Sequence, residues 1–486
     1  MAFASAAELA AERRSGNSLD TMMAITRRTL LASAAAFAAA PALGQVASSG
    51  DVDVAIIGAG AAGIAAARRV AAAGRRFALI EAGGRIGGRC ITDTGSFGVP
   101  FDLGAHWIRQ PDINPVVKAA AKAGLDIYPA PPGQKIRMGV RHARESELEA
   151  FLAAQVHATR AIAEAARGRT DLAVADALPK VLAAWQSTIE FALGPFGVGK
   201  DLNEVSAMDL ARLQRDGEAF CRQGYGALLA KAAEGIAVQL STPVAGVQWW
   251  ERGLVVETAK GRINARAIIV TVSTNVLASG SIRFSPELPR RHLDAAAQLK
   301  LGTYERVALD MPGNPLGLAP DELVLEQSND AKTAALLANV GGTPLCFVDI
   351  AGHFAEGLAV EGPTAMADFA MDWLGKLYGA DIRKTVRSAQ ATQWIKDPWV
   401  LGGWSSAAPG AQPARRILME PLRDRIWFAG EAVHETAWGT VNGAWESGER
   451  AAEAALRRIG PPKEAEKPPP KKREPERSQR RQQQRN

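Results

Sequence analysis

Cysteine is scarce in this 486-residue chain: Cys90, Cys221 and Cys346 are the three. They are odd in number and have no CxxC spacing, so neither a disulfide framework nor a zinc site is indicated, and isolated, mostly buried thiols are expected. Charge of one sign is also short where it matters. The formal net charge is +6, but the stretch Pro461 to Asn486 holds nine Lys/Arg against four Glu, which leaves +1 for everything else. A near-neutral body gives no support to nucleic-acid binding by the folded part. No repeat at a solenoid period is visible, and no apolar run has the length and composition of a membrane-spanning helix.

What is present is a core and many glycines: 47% hydrophobic residues and 47 glycines. That is enough for two or three domains' worth of buried interior. Both ends stand apart. The stretch T-R-R-T-L-L-A-S-A-A-A-F-A-A-A-P-A-L-G-Q places Arg27-Arg28 before an alanine-rich run. It reads as a leader over 1–44 with a twin-arginine export signal cut near Gly44, and hence as periplasmic localisation. The basic tail over 461–486 lacks any aliphatic run and is expected to be disordered.

Beyond the leader, D-V-A-I-I-G-A-G-A-A-G-I-A-A-A-R-R-V-A-A-A-G gives a short β-branched run, then Gly58, Gly60, Ala62 and Gly63, then an alanine-rich helix. Glycines between a strand and a helix permit a tight turn and let the backbone approach a pyrophosphate, with helix N–H groups facing the phosphates. A second strand, F-A-L-I, ends at Glu81, eighteen residues after Gly63, where an acid accepts hydrogen bonds from ribose hydroxyls. At this point the dinucleotide is NAD or FAD.

The next residues discriminate. E-A-G-G-R-I-G-G-R, Glu81 to Arg89, carries the chain past the same ligand a second time and brings positive charge to it. With the glycine turn before it, this segment resembles the flavin-containing amine oxidase family of monoamine and polyamine oxidases, and the resemblance implies non-covalent FAD beside Glu81, Ala82 and Arg89. F-D-L-G-A-H-W-I extends it: Gly104, Ala105, His106 and Trp107 fall on the loop that passes the flavin in that family, although His106 is equally readable as a satisfied loop histidine. Val244, in S-T-P-V, matches a valine that meets the adenine, or is a plain core valine. Toward the C-terminal end, R-I-W-F-A-G-E-A-V-H-E-T-A-W-G-T-V-N-G-A-W matches the family's closing motif. It implies Gly430 and Glu431 near the ribityl and pyrophosphate region, and Thr440 and Val441 at the flavin's pyrimidine edge.

The reacting face is less regular. Trp404, in W-V-L-G-G-W-S-S, stands where the family has an aromatic-cage tyrosine, and Trp438 is the expected substitute for the second cage position, which Thr440 occupies. Gly403 stands where covalently flavinylated relatives have cysteine. Arg306, in L-G-T-Y-E-R-V, aligns with a lysine that holds a water in relatives, and that exchange is not conservative. The resemblance therefore implies Arg306, Trp404, Trp438 and His106 at the catalytic face. The expected fold is α/β: a Rossmann-like FAD-binding domain from 51–115, 221–284 and 412–460, with an interleaved α+β substrate domain from 116–220 and 285–411. The expected activity is oxidation of a primary or secondary amine to an imine, with oxygen reduced to hydrogen peroxide and no metal. Rivals are a desaturase, dehydrogenase or L-amino-acid oxidase of the same superfamily, and an exported flavin-binding protein without turnover.

Overall fold

A computed structural model of the chain describes residues 51–214, 216–251 and 253–461. The expected leader with Arg27-Arg28, and the tail beyond Pro461, lie outside the described residues.

The first sheet has seven strands. Asp51–Ile57 runs parallel to Gly261–Val270 on one side and to Phe77–Ile80 on the other. Gly253–Thr258 and then Val244–Trp250 continue the sheet antiparallel, and Arg283–Ser285 closes that edge. Ile426–Phe428, from near the far end of the chain, also joins Gly261–Val270 in parallel. The sequence explains this placement. F-A-L-I is buried at all four positions, and along Asp51–Ile57 the side chains of Val54 and Ile56 enter one core while those of Val52, Ala55 and Ile57 enter another. Near-continuous apolar strands of this kind are stable when a sheet is covered on both faces.

One cover is a pair of helices. Ala61–Ala72 exposes almost none of its alanine face, and Val441–Ile459 lies against it with Ala451, Ala452 and Ala455 buried in the same core. They touch because Gly448 has no side chain: a Cβ there would stand 2.1 Å from the Ala62 carbonyl oxygen. The C-terminal helix is thereby locked onto the first one.

A second seven-stranded sheet runs in the order Ser388–Ala391, Tyr304–Asp310, Leu345–Ala351, Ala335–Ala338, Glu322–Glu326, Lys135–Met138, Arg141–His142. Every strand comes from the two segments expected to form the substrate domain. The alanine-rich first segment also supplies the 21-residue helix Glu145–Ala165 and the short helices Gln186–Leu193 and Pro195–Val198. A small third sheet pairs Glu218–Cys221 with both Ile108–Arg109 and Ile127–Pro129. It stitches the two halves together across the sequence boundaries expected at 115 and 221. All three cysteines are free and buried, and burial pushes the Cys221 and Cys346 thiols up to about 11. Among the described residues no helix is long and apolar enough to cross a membrane, and no group of His, Cys, Asp and Glu side chains suits a metal ion.

Candidate active site

Both sheets contribute to the wall of a cavity of about 940 Å³. Around the glycine turn that wall is made of backbone. Gly58 sits at φ +103°, a conformation that disfavours any side chain, and a Cβ on Gly63 would lie 1.8 Å from the Gly58 carbonyl oxygen. Gly63 therefore serves the close approach of helix to turn and is not itself on the cavity wall. Gly60 is different: a Cβ there meets nothing within 4 Å, because this residue and Ala62 open on the cavity at the start of the helix.

The E-A-G-G-R-I-G-G-R loop folds back on this turn. Gly87 N–H donates to the Ala59 carbonyl at 2.8 Å, and a Cβ on Gly88 would stand 3.5 Å from the Gly60 Cα. Glu81 anchors both: its carboxylate accepts from Ala59 N–H at 2.7 Å and from Gly83 N–H at 2.8 Å. Glu81, Ala82, Arg89 and Val244 all border the cavity.

Glu431 occupies the middle. It is buried, and its carboxylate accepts from Arg89 Nη1 at 3.0 Å, Ser405 N–H at 3.1 Å, Ser405 Oγ at 2.8 Å and Gly439 N–H at 2.9 Å. Burial pushes its pKa up, but the Arg89 and Arg415 guanidiniums and these hydrogen bonds outweigh that and hold it below the usual carboxylate value. Arg89 also donates to the Gly403 carbonyl at 2.6 Å. The motifs at 89, 403–405 and 431–439 thus converge on one carboxylate. Next to it Thr440 caps Val441–Ile459, its Oγ1 accepting from Gly443 N–H at 3.0 Å. The first turn of a helix leaves N–H groups with no intrahelical acceptor, and Thr440 and Val441 border the cavity.

Around Trp404 the wall is built of side chains. Trp404 is on the wall and lies against Tyr304, ring centroids 4.7 Å apart. Tyr304 in turn meets Phe196 at 6.4 Å. Gly439, at φ +69°, leaves room for the indole, since a Cβ there would be 2.9 Å from Trp404 Cδ1. The aromatic row therefore begins where the Thr440 helix begins.

Trp438 is not part of that row. It is fully buried behind the wall, with the Arg415 guanidinium 4.4 Å from its ring, and it packs with Val198, Leu202 and Val205. Expecting it at the second cage position is corrected accordingly: a tryptophan one residue before the positive-φ Gly439 turns inward, and Tyr304 is the aromatic partner of Trp404. The sequence signal for Tyr304 was its place two residues before Arg306, on the same face of one strand.

Arg306 borders the cavity without offering it a free charge. Its Nε and Nη2 donate to the two Asp349 oxygens at 2.7 and 3.0 Å, and Nη1 donates to the Asp102 and Gly104 carbonyls at 2.8 and 3.1 Å. Burial disfavours its charge, but Asp349 overrides this and raises the pKa. Arg306 and Asp349 stand directly opposite in the strand register, and Tyr304 Oη donates to the same carboxylate at 2.7 Å. The arginine is a clamp joining the substrate-side strand to the loop 102–107.

That loop carries Gly104, Ala105, His106 and Trp107 along the cavity. Gly104 has no room for a side chain, a Cβ being 2.1 Å from the Arg89 carbonyl oxygen. The His106 imidazole packs among Phe220 and Phe347, at 4.6 and 5.5 Å. Its Nδ1 is 2.8 Å from Asp102 Oδ2, and its Nε2 is buried without a partner. This is the setting of a core histidine that holds the loop. Trp394, whose Nε1 donates to the Leu103 carbonyl at 3.0 Å, braces the loop from the other side.

The comparisons agree with this geometry. The profile of the family described as flavin containing amine oxidoreductase matches residues 61–456, and the chain belongs to that family. It is 27% identical over 448 residues to probable polyamine oxidase 4 of Arabidopsis thaliana, covering 84% of this chain and 87% of that one. It is 25% identical over 444 residues to human lysine-specific histone demethylase 2, covering 82% of this chain and 53% of that longer protein. Among solved structures, cyclohexylamine oxidase from Brevibacterium oxydans superposes with a TM-score of 0.72 at 23% identity over 84% of this chain and 99% of that one. A putrescine oxidase variant gives 0.70 at 20% identity, covering 83% and 99%; at these identities both support the fold alone.

The protein is accordingly a flavin-containing amine oxidoreductase; non-covalent FAD is the cofactor its sequence leads one to expect. The residues suit that group: an uncapped helix start behind an unobstructed Gly60, an acid at the end of the second strand, and glycine at 403.

Proposed function

We propose that this enzyme oxidises a primary or secondary amine to an imine with oxygen as acceptor and hydrogen peroxide as the second product, and that the twin-arginine stretch exports it folded, with cofactor, to the periplasm. The observation that carries the catalytic reading is the Tyr304–Trp404 pair standing where the Thr440–Val441 helix start meets the cavity. The turn Gly58 to Ala62 would receive the pyrophosphate, Glu81 the adenosine ribose and Val244 the adenine, while Arg89 and Glu431 would fix the middle of FAD. When bound, FAD supplies a hydride acceptor for the α C–H bond and passes the electrons on to oxygen.

The chain's own residues orient and exclude. Helix N–H groups at 440–441 place fixed positive dipoles where negative charge develops, and fixed dipoles need no rearrangement during reaction. The Tyr304 and Trp404 rings bound a dry slot for the reacting amine. Burial and Asp349 hold the Tyr304 hydroxyl far above its ordinary pKa, so it stays a neutral donor to Asp349 and the wall keeps its shape. Anaerobic addition of amines to the purified yellow protein tests the reading: bleaching of the flavin, followed by peroxide formation on admitting oxygen, is expected. Bleaching without peroxide would make it a dehydrogenase. No bleaching by any monoamine or polyamine would remove the amine oxidase assignment.

A further inference from the structure

The cavity wall holds one carboxylate that the cofactor grip does not use. Of the four acids on the wall, Glu81 is bound to the glycine turn, and Glu431 is paired with Arg89. Asp397 accepts from Trp399 N–H at 2.9 Å, and Trp399 stands 3.8 Å from a Cβ built on Gly83, so this acid belongs beside the Glu81–Arg89 loop. Glu218 remains; it stands at the cavity's solvent-exposed margin, its side chain 39% exposed, and forms an ion pair with Arg109. The pairing is imposed by the backbone, because Arg109 and Glu218 face each other in the register of the small third sheet. Arg109 is held from its other side by Trp107, whose ring centroid is 5.5 Å away. Leu193, Phe196, Tyr304, Leu323 and Trp404 also border the cavity there, and the charge of Arg306 beside them is answered by Asp349.

Resting on the amine oxidase reading, we infer that the Arg109–Glu218 pair sets specificity, by cancelling the one cavity-wall carboxylate among the described residues that stands outside the cofactor grip, and that the substrates are monoamines with an apolar carbon skeleton rather than diamines or polyamines. An ammonium carried into an apolar pocket without a partner is strongly disfavoured. A monoamine enters as the neutral base and leaves nothing charged behind.

Pentylamine and cadaverine share a five-carbon chain and differ by the second amino group, so they isolate this term. In anaerobic flavin reduction by the holoenzyme, pentylamine is expected to exceed cadaverine in second-order rate by at least about tenfold. Arg109→Ala should narrow that ratio about tenfold by freeing Glu218, and adding Glu218→Ala to it should restore the preference. Should Arg109→Ala not accumulate, Glu218→Gln serves: it leaves the Arg109 cation unpaired and should widen the wild-type ratio further. Equal use of cadaverine and pentylamine by the wild type, or a narrowed ratio in Glu218→Gln, would overturn the inference while leaving the amine oxidase reading intact. Failure of both amines and of cyclohexylamine to bleach the flavin would overturn both.

Discussion

The glycine turn at 58–63 and the aromatic wall at 304–404 border the same cavity, yet they are built in opposite ways. The turn is made by what is missing, and its shape follows from side chains that would not fit at Gly58 and Gly63. The wall is made by what is present, rings from distant segments packed on Tyr304, whose hydroxyl is held by Asp349 together with Arg306. A site of the first kind fails abruptly when altered, and one of the second kind by degrees. The contrast suits the proposed division of labour, with the cofactor gripped at the turn and the amine met at the wall.

Breaking the comparison starts with the turn. Gly63→Ala forces a Cβ to within 1.8 Å of a backbone oxygen, so a loss of about 4 kcal/mol or more is expected, read as failure to purify soluble yellow protein. Gly60→Ala has free space around its Cβ. It should fold with an unchanged denaturant midpoint but retain FAD roughly tenfold less tightly, measured by flavin release on dialysis. If the two variants behave alike, the distinction between packing glycine and cofactor glycine is wrong.

The middle of the site should respond less. Glu431→Gln leaves Arg89 and Arg415 without their shared carboxylate, for an expected cost of about 3 kcal/mol in urea unfolding. Because its folded pKa is lowered, Glu431 binds fewer protons folded than unfolded near and below the ordinary value of 4.5. Its contribution is fully present above that pH and is lost as pH falls through the depressed folded value. The stability gap between wild type and Glu431→Gln should therefore close below pH 4.5 and stay constant at neutral pH.

The wall is softer still. Arg306→Lys cannot serve two Asp349 oxygens and two loop carbonyls with one ammonium, so a loss of about 2 kcal/mol is expected, with kcat falling and flavin content retained. The smallest change is a gain. Lys200 is buried with its Nζ donating to the Ser406 carbonyl at 3.1 Å, and burial lowers its pKa from 10.5 to about 8. Lys200→Met should stabilise by about 1–2 kcal/mol at pH 7. The unfolded chain binds the extra proton between pH 8 and 10.5, so wild-type stability rises through that window and the advantage of the variant shrinks there.

How far the sequence could be read follows the same contrast. F-A-L-I, the glycine turn, Glu81, Arg89 and the Glu431–Val441 motif were legible as segments that converge on one cavity, because backbone geometry dictates residue type at fixed spacing. Tyr304 and Asp349 were not, because which side chain faces which depends on register between Tyr304–Asp310 and Leu345–Ala351. Trp438 and Trp404 look interchangeable as letters, and only the direction of the chain at Gly439 separates an inward ring from a wall. Arg306 was visible as a departure from the family lysine, but its partners were not, so a charge that is fully spent looked available.

Gly448 resting on Ala62 has a temporal consequence. Ribosomes deliver the glycine turn nearly four hundred residues before the helix that must lie on it, so a nascent chain holds half of a nucleotide grip throughout its synthesis. Docking of Val441–Ile459 is therefore the expected event that completes the grip and commits an apoprotein to its coenzyme.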